Sequence, residues 1–356
     1  MQFEPLNSLV LLERAEREKL NPDKLCSFGI HVLDDALYRI FPNDLIVIGA
    51  DSGVGKSSLI MDIAMHNAKN GKTVGLFYLE GGHNEAIQRM KWRMICGKYY
   101  KNKDHKTFID MDYTHWRAND PSMAGLKQIE MDVEKEINEI FKKNFFIYDM
   151  TQNLYAPDQE RVGYDKIYSG LMDFFDGTEF GKIKYNLDLL IIDHLHYFDF
   201  EDGTRGSDSE KITKAMRVCK EVSDIYKVPI ILVSHLRKKE KDRGLPDQEH
   251  FHGSSNIPKI STDTIVISPA YGLQNNADLV YPTFFRFIKS RRGLKSNYAA
   301  LVNYYLEENS YGKHYKIHAV NEHGKPEAEP LAVNKLPKWY KHRKEGDTEN
   351  ENKWDN

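Results

Sequence analysis

Cysteine is almost absent from this chain. The three in 356 residues, Cys26, Cys96 and Cys219, stand far apart, with no CxxC pair and no Cys/His spacing that would hold zinc. Their scarcity argues against a disulfide framework or a structural metal site and fits a reducing, cytosol-like compartment. Long apolar runs are missing as well. None approaches the roughly 20 residues that cross a bilayer, and the opening MQFEPLNSLVLLERAERE has neither a secretory apolar core nor an Arg/Ser-rich transit pattern. The expectation is a soluble, uncleaved cytoplasmic protein with no membrane partner. Charge of one sign is lacking too: 50 Lys and Arg stand against 53 Asp and Glu, a formal net charge of −3. That excludes a globally basic, histone-like binder but leaves room for a local basic lining. No internal repeat is visible.

What is present suffices for one large core. With 40% hydrophobic and 12% aromatic residues, the chain can bury one large α/β domain with peripheral elements, whereas two full domains would be a squeeze. From Phe28 the pattern alternates apolar strand, turn and amphipathic helix, which predicts a parallel sheet with crossover helices. Strands are expected at Leu45 to Ile48, Val74 to Leu79, Leu187 to Ile192, Val228 to Val233 and Asp263 to Ser268. Between the second and third, the stretch from Gln88 to Tyr185 contains a helical pattern, GLKQIEMDVEKEINEIFKK, and a further strand at FFIYD. The runs TFFRFIKS and AALVNYYLEE bracket RRGLKSN and predict a hairpin at the sheet edge. An amphipathic helix is expected from Ser8, as N-cap, to Leu20, with Leu9, Leu12 and Ala15 on one stripe; it must pack on its own domain or on a neighbouring subunit. The predicted organisation is an N-terminal helix over 1–26, one large α/β domain over 27–310 and an extension over 311–356, whose polar end beyond about Pro337 is too poor in apolar residues to fold alone.

The chemistry concentrates at strand tips. Ala50 to Ser57 reads ADSGVGKS, directly after the strand LIVI and before the helical run SLIMDIAMHNAKN, the context a Walker A phosphate loop requires. Gly53 and Gly55 allow backbone N–H groups to turn onto phosphate oxygens, Lys56 adds a charge at the β/γ phosphates, and the Ser57 hydroxyl can ligate Mg²⁺. Ala50, Asp51, Ser52, Gly53, Val54, Gly55, Lys56, Ser57 and Ser58 are thus candidate ATP-binding residues, with Ala50 where the motif's first glycine usually stands. Asp193 ends the apolar run LDLLIID as a Walker B acid positioning magnesium would. Glu80 ends VGLFYLE, where a carboxylate can polarise the attacking water. Ser234 and His235 end the next strand, where a polar tip can sense the γ-phosphate. The bland alternatives are a glycine-rich turn, strand-end acids in solvent and a surface histidine.

Four strand tips carrying P-loop, Glu, Asp and His in that order resemble the RecA-like motor domain of DnaB-type hexameric helicases over about Phe28 to Glu307, on the phrases FGIHVLDDALYRIFPNDLIVIGADSGVGKSS, YLE and IIDHLHYF. Ser-His-Leu at Ser234 to Leu236 is closer to the phage helicase-primase and Twinkle branch than to the bacterial branch, which uses Gln. KSRRG, from Lys289 to Gly293, resembles the segment that supplies a lysine and an arginine finger to the adjacent subunit. The resemblance implies Lys289 and Arg291 in those roles, with Arg292 as rival, while the plain reading is a basic hairpin tip in solvent. It also implies DNA contacts from two loops, roughly Phe200 to Glu210 and Arg237 to Ser255, through Arg205, Arg237, Lys238, Lys239, Lys241, Arg243, Gly253 and Ser254; for any one of these a solvated loop residue is the alternative. Pro258 departs from the family's Gly-Ser-rich phrase there.

The expected protein is therefore a Mg²⁺- and ATP-dependent homo-hexameric DNA helicase working 5′ to 3′ on single-stranded DNA at a replication fork, of phage or mobile-element type and so in the host cytosol, with a possible separate primase and loader. The second reading is a RecA-superfamily ATPase that binds DNA without unwinding it, such as a recombination mediator or KaiC-like regulator. The third is a small-molecule P-loop kinase, which would need a lid rather than a trans-acting arginine.

Overall fold

The computed structural model describes residues 5–51, 53–79, 82–101, 109–148, 186–195, 207–236, 244–251, 256–270, 273, 280–294, 296–305 and 310–341. Its strands form a single nine-stranded sheet in the order β3-β2-β4-β5-β1-β6-β7-β8-β9. These are β1 (Leu45–Ala50), β2 (Val74–Tyr78), β3 (Phe145–Tyr148), β4 (Leu189–Asp193), β5 (Ile230–His235), β6 (Asp263–Pro269), β7 (Val280–Ser290), β8 (Tyr298–Tyr305) and β9 (Ser310–Ala319). The first six pair in parallel, and β6 to β9 continue antiparallel. This is the mainly parallel RecA-like α/β sheet with a closing antiparallel hairpin that the sequence predicts.

The period of two in each central strand sorts its side chains between two cores. Ile46, Ile48 and Ala50 of β1 join Leu59, Ile60 and Ile63 of α3 (Lys56–Lys69) on one face. Leu45 and Val47 join Ile212, Met216 and Cys219 of the long helix over Asp208–Tyr226 on the other. A strand covered on both faces can be apolar throughout, which is why these runs read as unbroken Leu/Ile/Val. The remaining helices described are α1 (Leu6–Lys19), α2 (His31–Leu37), α4 (Gly82–Lys101), α5 (Tyr113–Arg117), α6 (Lys127–Ile140), the Asp208–Tyr226 helix, here α7, and α8 (Ile257–Ile260). A reciprocal Ser207/Glu210 capping box starts α7.

Three elements differ from the expectations. Helix α1 begins at Leu6 with Pro5 as N-cap, so Ser8 lies inside it, and none of its residues is buried; Leu9 and Leu12 are 44% and 60% exposed. The stripe therefore does not pack on the described part of its own domain. A ninth strand starts at the predicted domain boundary and pairs with β8 from Tyr298↔Ala319 to Tyr305↔Ser310, carrying the sheet into the segment read as an extension. Past β9 the chain stays docked: Leu331, Leu336, Trp339 and Tyr340 pack against the main core, with Trp339 edge-on to Phe287 at 5.8 Å. Residues 342–356 lie outside the described part.

A charged cluster ties α3, α4 and the hairpin together. Arg93 of α4 pairs with Asp62 of α3 and donates to the Tyr304 hydroxyl of β8 at 3.3 Å. Burial pushes the Asp62 carboxyl up to about 6 although Arg93 pulls it down. Arg93→Met leaves that carboxylate without its cation. The expected loss is about 2–3 kcal/mol at pH 8, below the value for a fully buried pair because a quarter of the Asp62 side chain is exposed. The loss should shrink at pH 5, where the folded state holds Asp62 protonated. Urea unfolding at the two pH values checks both statements.

Candidate active site

The sheet order decides which tips meet. Strand β5 lies between β1 and β4, and Ala50 pairs with His235 in register, so the β5 tip stands between the P-loop and the Asp193 tip. Strand β2 flanks β4 on its other side, with Tyr78 opposite Asp193, and Leu79 N–H donates to Asp193 O at 2.7 Å. Glu80, the next residue, and Ser52 lie outside the described residues.

Within the loop, Gly53 and Gly55 have φ of 80° and 89°. Among the described residues, nothing beyond the adjoining chain lies within 4 Å of where a Cβ would stand at either. Backbone conformation, not space, therefore requires glycine there. Helix α3 starts at Lys56 without a side-chain cap, so its opening N–H groups face the place an anion would take. Lys56 is only 5% exposed. Its ammonium donates to Ala50 O at 3.1 Å and Asp51 O at 2.9 Å, and it lies 3.0 Å from His235 Nδ1. Ser57 Oγ donates to Asp193 Oδ2 at 2.9 Å, and Asp193 is wholly buried. Two hard oxygens at that separation match a cis edge of an octahedron with bonds of about 2.1 Å, so the donor set fits Mg²⁺. Val54 packs on the core beneath the loop, and the Ser58 hydroxyl shares a hydrogen bond with Tyr304.

Two residues that the sequence did not single out join this cluster. The Tyr78 hydroxyl shares a hydrogen bond with Ser57, and burial pushes its pKa up to about 12. His194 Nε2 lies 3.0 Å from His235 Nε2. A tyrosine ending a strand looks like core, and His194 looks like the variable letter of Asp-x-Leu. Only the pairing of β2, β4 and β5 brings them to the phosphate loop.

The basic segment lies at the other edge of the sheet. Ser290 pairs with Asp263, whose neighbour on β1 is Ile46, while Ala50 is four residues further along. At about 3.3 Å per residue the hairpin end is roughly 13 Å behind the start of the P-loop. Lys289 donates to Lys259 O at 3.0 Å and Ser261 O at 2.7 Å; burial and then Arg291 lower its pKa. Arg292 is committed inward: it binds Asp44, Asp263 at 3.2 Å, and the carbonyls of Leu37 and Arg39, and its guanidinium sits 5.0 Å over the Phe41 ring. Arg291 is the exposed one. It lines a groove of about 580 Å³ with Phe41, Asp44, Lys220 and Asp263.

Arg205, Arg237, Lys238, Lys239, Lys241, Arg243, Gly253 and Ser254 all lie outside the described residues. The ends of the second loop are described. Leu236 bridges to Phe251, and Arg286 anchors the carbonyls of Leu245 and Pro246 at 3.3 and 3.1 Å. Pro258 falls in the first turn of α8, where its missing N–H costs nothing.

Among curated proteins compared by sequence, none matches. Among solved structures, the chain is similar to one described as an "ATPase Domain", with 15% identity, a TM-score of 0.61, and 87% of this chain and 99% of that one covered. It is also similar to a chain described as "The Structure Of A DnaB-Like Replicative Helicase And Its Interactions With Primase", with 16% identity, a TM-score of 0.58, and 87% and 67% covered. These likenesses concern the fold. Among the described residues, no helix is long and apolar enough to cross a membrane. The family match carries more: residues 26–271, well over half of the chain, match the DnaB-like helicase C-terminal domain. With Lys56, Ser57 and Asp193 gathered at one edge of a RecA-like sheet, the chain belongs to the DnaB-like helicase C-terminal domain family, whose members are ATP-hydrolysing DNA helicases.

Proposed function

We propose that this protein is the motor subunit of a homo-hexameric ring helicase, hydrolysing ATP at subunit interfaces and drawing single-stranded DNA of a replication fork through its centre. One observation carries the reading: Lys56 and Ser57 stand at one edge of the sheet and exposed Arg291 at the opposite edge. Arg291 is thus out of reach of its own P-loop and suited to a neighbour's.

In this mechanism the triphosphate docks on the N–H groups of the loop and the start of α3, and Lys56 exchanges the carbonyls of Ala50 and Asp51 for β/γ oxygens. Ser57 and Asp193 would hold Mg²⁺, which when bound offsets phosphate charge. Glu80 orients the attacking water. His235 senses the γ-phosphate. From the next subunit, Arg291 and Lys289 stabilise charge that grows in the transition state, so hydrolysis depends on assembly. Arg205, Arg237, Lys238, Lys239, Lys241, Arg243, Gly253 and Ser254 contact the DNA backbone without reading sequence. The place of work is the cytoplasm, host cytosol for a phage or mobile element. One structural relative is described as interacting with primase, which favours a separate primase, and with it a loader, as partners here.

Single-stranded DNA is expected to stimulate ATP hydrolysis, and ATP to drive strand displacement on a forked duplex; stimulation without displacement would favour an ATPase that binds DNA but does not unwind it. Arg291→Ala should lower the rate by about 10³-fold or more while sparing nucleotide binding. Mixing it with Lys56→Ala subunits should restore about a quarter of the rate, the share of randomly formed interfaces that join an intact P-loop to an intact arginine. An undiminished rate from an Arg291→Ala monomer rules out the trans assignment. Gly55→Ala places a Cβ at φ 89°, a cost of about 1–2 kcal/mol. The free loop can relax out of that conformation and the phosphate-bound loop cannot, so a fluorescent nucleotide titration should show binding weakened by up to about 5- to 30-fold.

A further inference from the structure

The positions read as DNA contacts in the second loop stand on either side of a short described segment, Gly244 to Phe251, and that segment is fastened at both ends. At Phe251 the fastening leads to the phosphate loop. Phe251 is 1% exposed and bridges Leu236, the Leu236 N–H donates to Ala50 O at 3.2 Å, and a Cβ on Gly49 would stand 2.6 Å from the Phe251 ring. At the other end the chain is seated on the turn from Asn321 to Lys325. A Cβ on Gly244 would stand 2.2 Å from the backbone of Gly324, and the Leu245 N–H donates to Gly324 O at 2.6 Å. The Leu245 side chain is buried with Ala270, Phe284, Ala299 and Val320.

Arg286 of β7 takes the carbonyls of Leu245 and Pro246. One terminal nitrogen of its guanidinium donates to Leu245 O at 3.3 Å and to Pro246 O at 3.1 Å, and Nε donates to Ser296 O at 3.1 Å. Two neighbouring carbonyls can share one guanidinium nitrogen because it carries two hydrogens, and the planar fork leaves Nε for a third acceptor. Ser296 belongs to the turn between β7 and β8, which also carries Arg291. A single side chain therefore joins the root of the second loop to the turn that holds the exposed arginine. Along β7, Lys289 is three residues beyond Arg286, about 10 Å.

We propose that Arg286 is a positioning residue that couples the second DNA loop to the neighbouring subunit's site. A strand engaged by residues 237–243 shifts Leu245 and Pro246, and Arg286 carries that shift to the turn bearing Arg291. This rests on the reading of Arg291 as a trans-acting finger and of the loop as a DNA contact. The hairpin end lies across the sheet from its own phosphate loop, so what passes through Arg286 arrives at the subunit contact. Each subunit's hold on DNA then governs hydrolysis next door, while Phe251 reports to the phosphate loop of its own subunit. Arg286 touches neither nucleotide nor DNA and acts through the two carbonyls and Ser296.

The test compares basal and DNA-stimulated ATP hydrolysis of the full-length protein with those of Arg286→Met, which packs but donates nothing, and Arg286→Lys, which donates but lacks the fork. Arg286→Met is expected to keep its basal rate and its affinity for a fluorescent single-stranded oligonucleotide within about twofold, while the stimulation by that DNA falls about fivefold or more. Arg286→Lys should recover part of the stimulation. Unchanged stimulation in Arg286→Met overturns the proposal. So does a parallel fall of basal and stimulated rates in a variant that still forms rings, which is what a merely loosened fold gives. The wild-type chain supplies an arm that needs no variant. In rings assembled on a non-hydrolysable triphosphate, adding single-stranded DNA should change amide hydrogen exchange at residues 289–296 as well as at 244–251, and unchanged exchange at 289–296 overturns the proposal. A wild-type ATPase that ignores DNA contradicts the helicase reading, whereas a stimulated wild type with an equally stimulated Arg286→Met contradicts the coupling alone.

Discussion

A buried ammonium must be given acceptors, because taken out of water without them it costs several kcal/mol or loses its proton. Lys56 meets this requirement from three directions, with two carbonyls of its own loop and a ring nitrogen from another strand. The carbonyls depend on the left-handed backbone at Gly53 and Gly55, which lets the loop wrap the lysine. The ring nitrogen depends on β5 lying beside β1 in the register Ala50↔His235. That neighbour relation in turn brings β4, with Asp193 and His194, to the far side of His235. Lys56, Asp193 and His235 are therefore brought together by one strand order, and a register slip of one residue in β4 or β5 would turn Asp193 or His235 to the other face.

The same sheet separates as firmly as it gathers. Parallel strands deliver their tips to one edge, and the antiparallel return of β7 delivers Lys289 and Arg291 to the other. Arg292 fastens that end of the hairpin to Asp44 and Asp263, at the feet of β1 and β6. A rigid anchor beside the exposed Arg291 suits contact with a second copy, since the backbone that carries it is held by its own fold.

Much of this was legible in sequence, for physical reasons. Strands covered on both faces read as unbroken apolar runs, and the P-loop stood where its chemistry demands, between such a strand and a helix. Other features needed three dimensions. Arg291 and Arg292 are adjacent and alike in a sequence, but opposite facing sends one to solvent and one into a buried cluster. Strand β9 was missed because its buried Tyr315 and Ile317 alternate with Lys316 and follow Lys313 and His314, on a strand with one exposed face. The pairing of Arg93 with Asp62 joins two helices, and no spacing rule within one helix announces it. His194 was hidden because its partner is 41 residues away. Glu80 and the basic loop residues lie outside the described residues.

In the proposed ring, each catalytic site is completed by a second copy of the chain. The most direct test of this is electron microscopy of the full chain with a non-hydrolysable ATP analogue and a forked DNA. Closed rings around one strand are expected, with Arg291 of each subunit directed at the γ-phosphate held by the Lys56 of the next. Single subunits with a fully enclosed nucleotide, or rings in which Arg291 faces solvent away from every nucleotide, would contradict it.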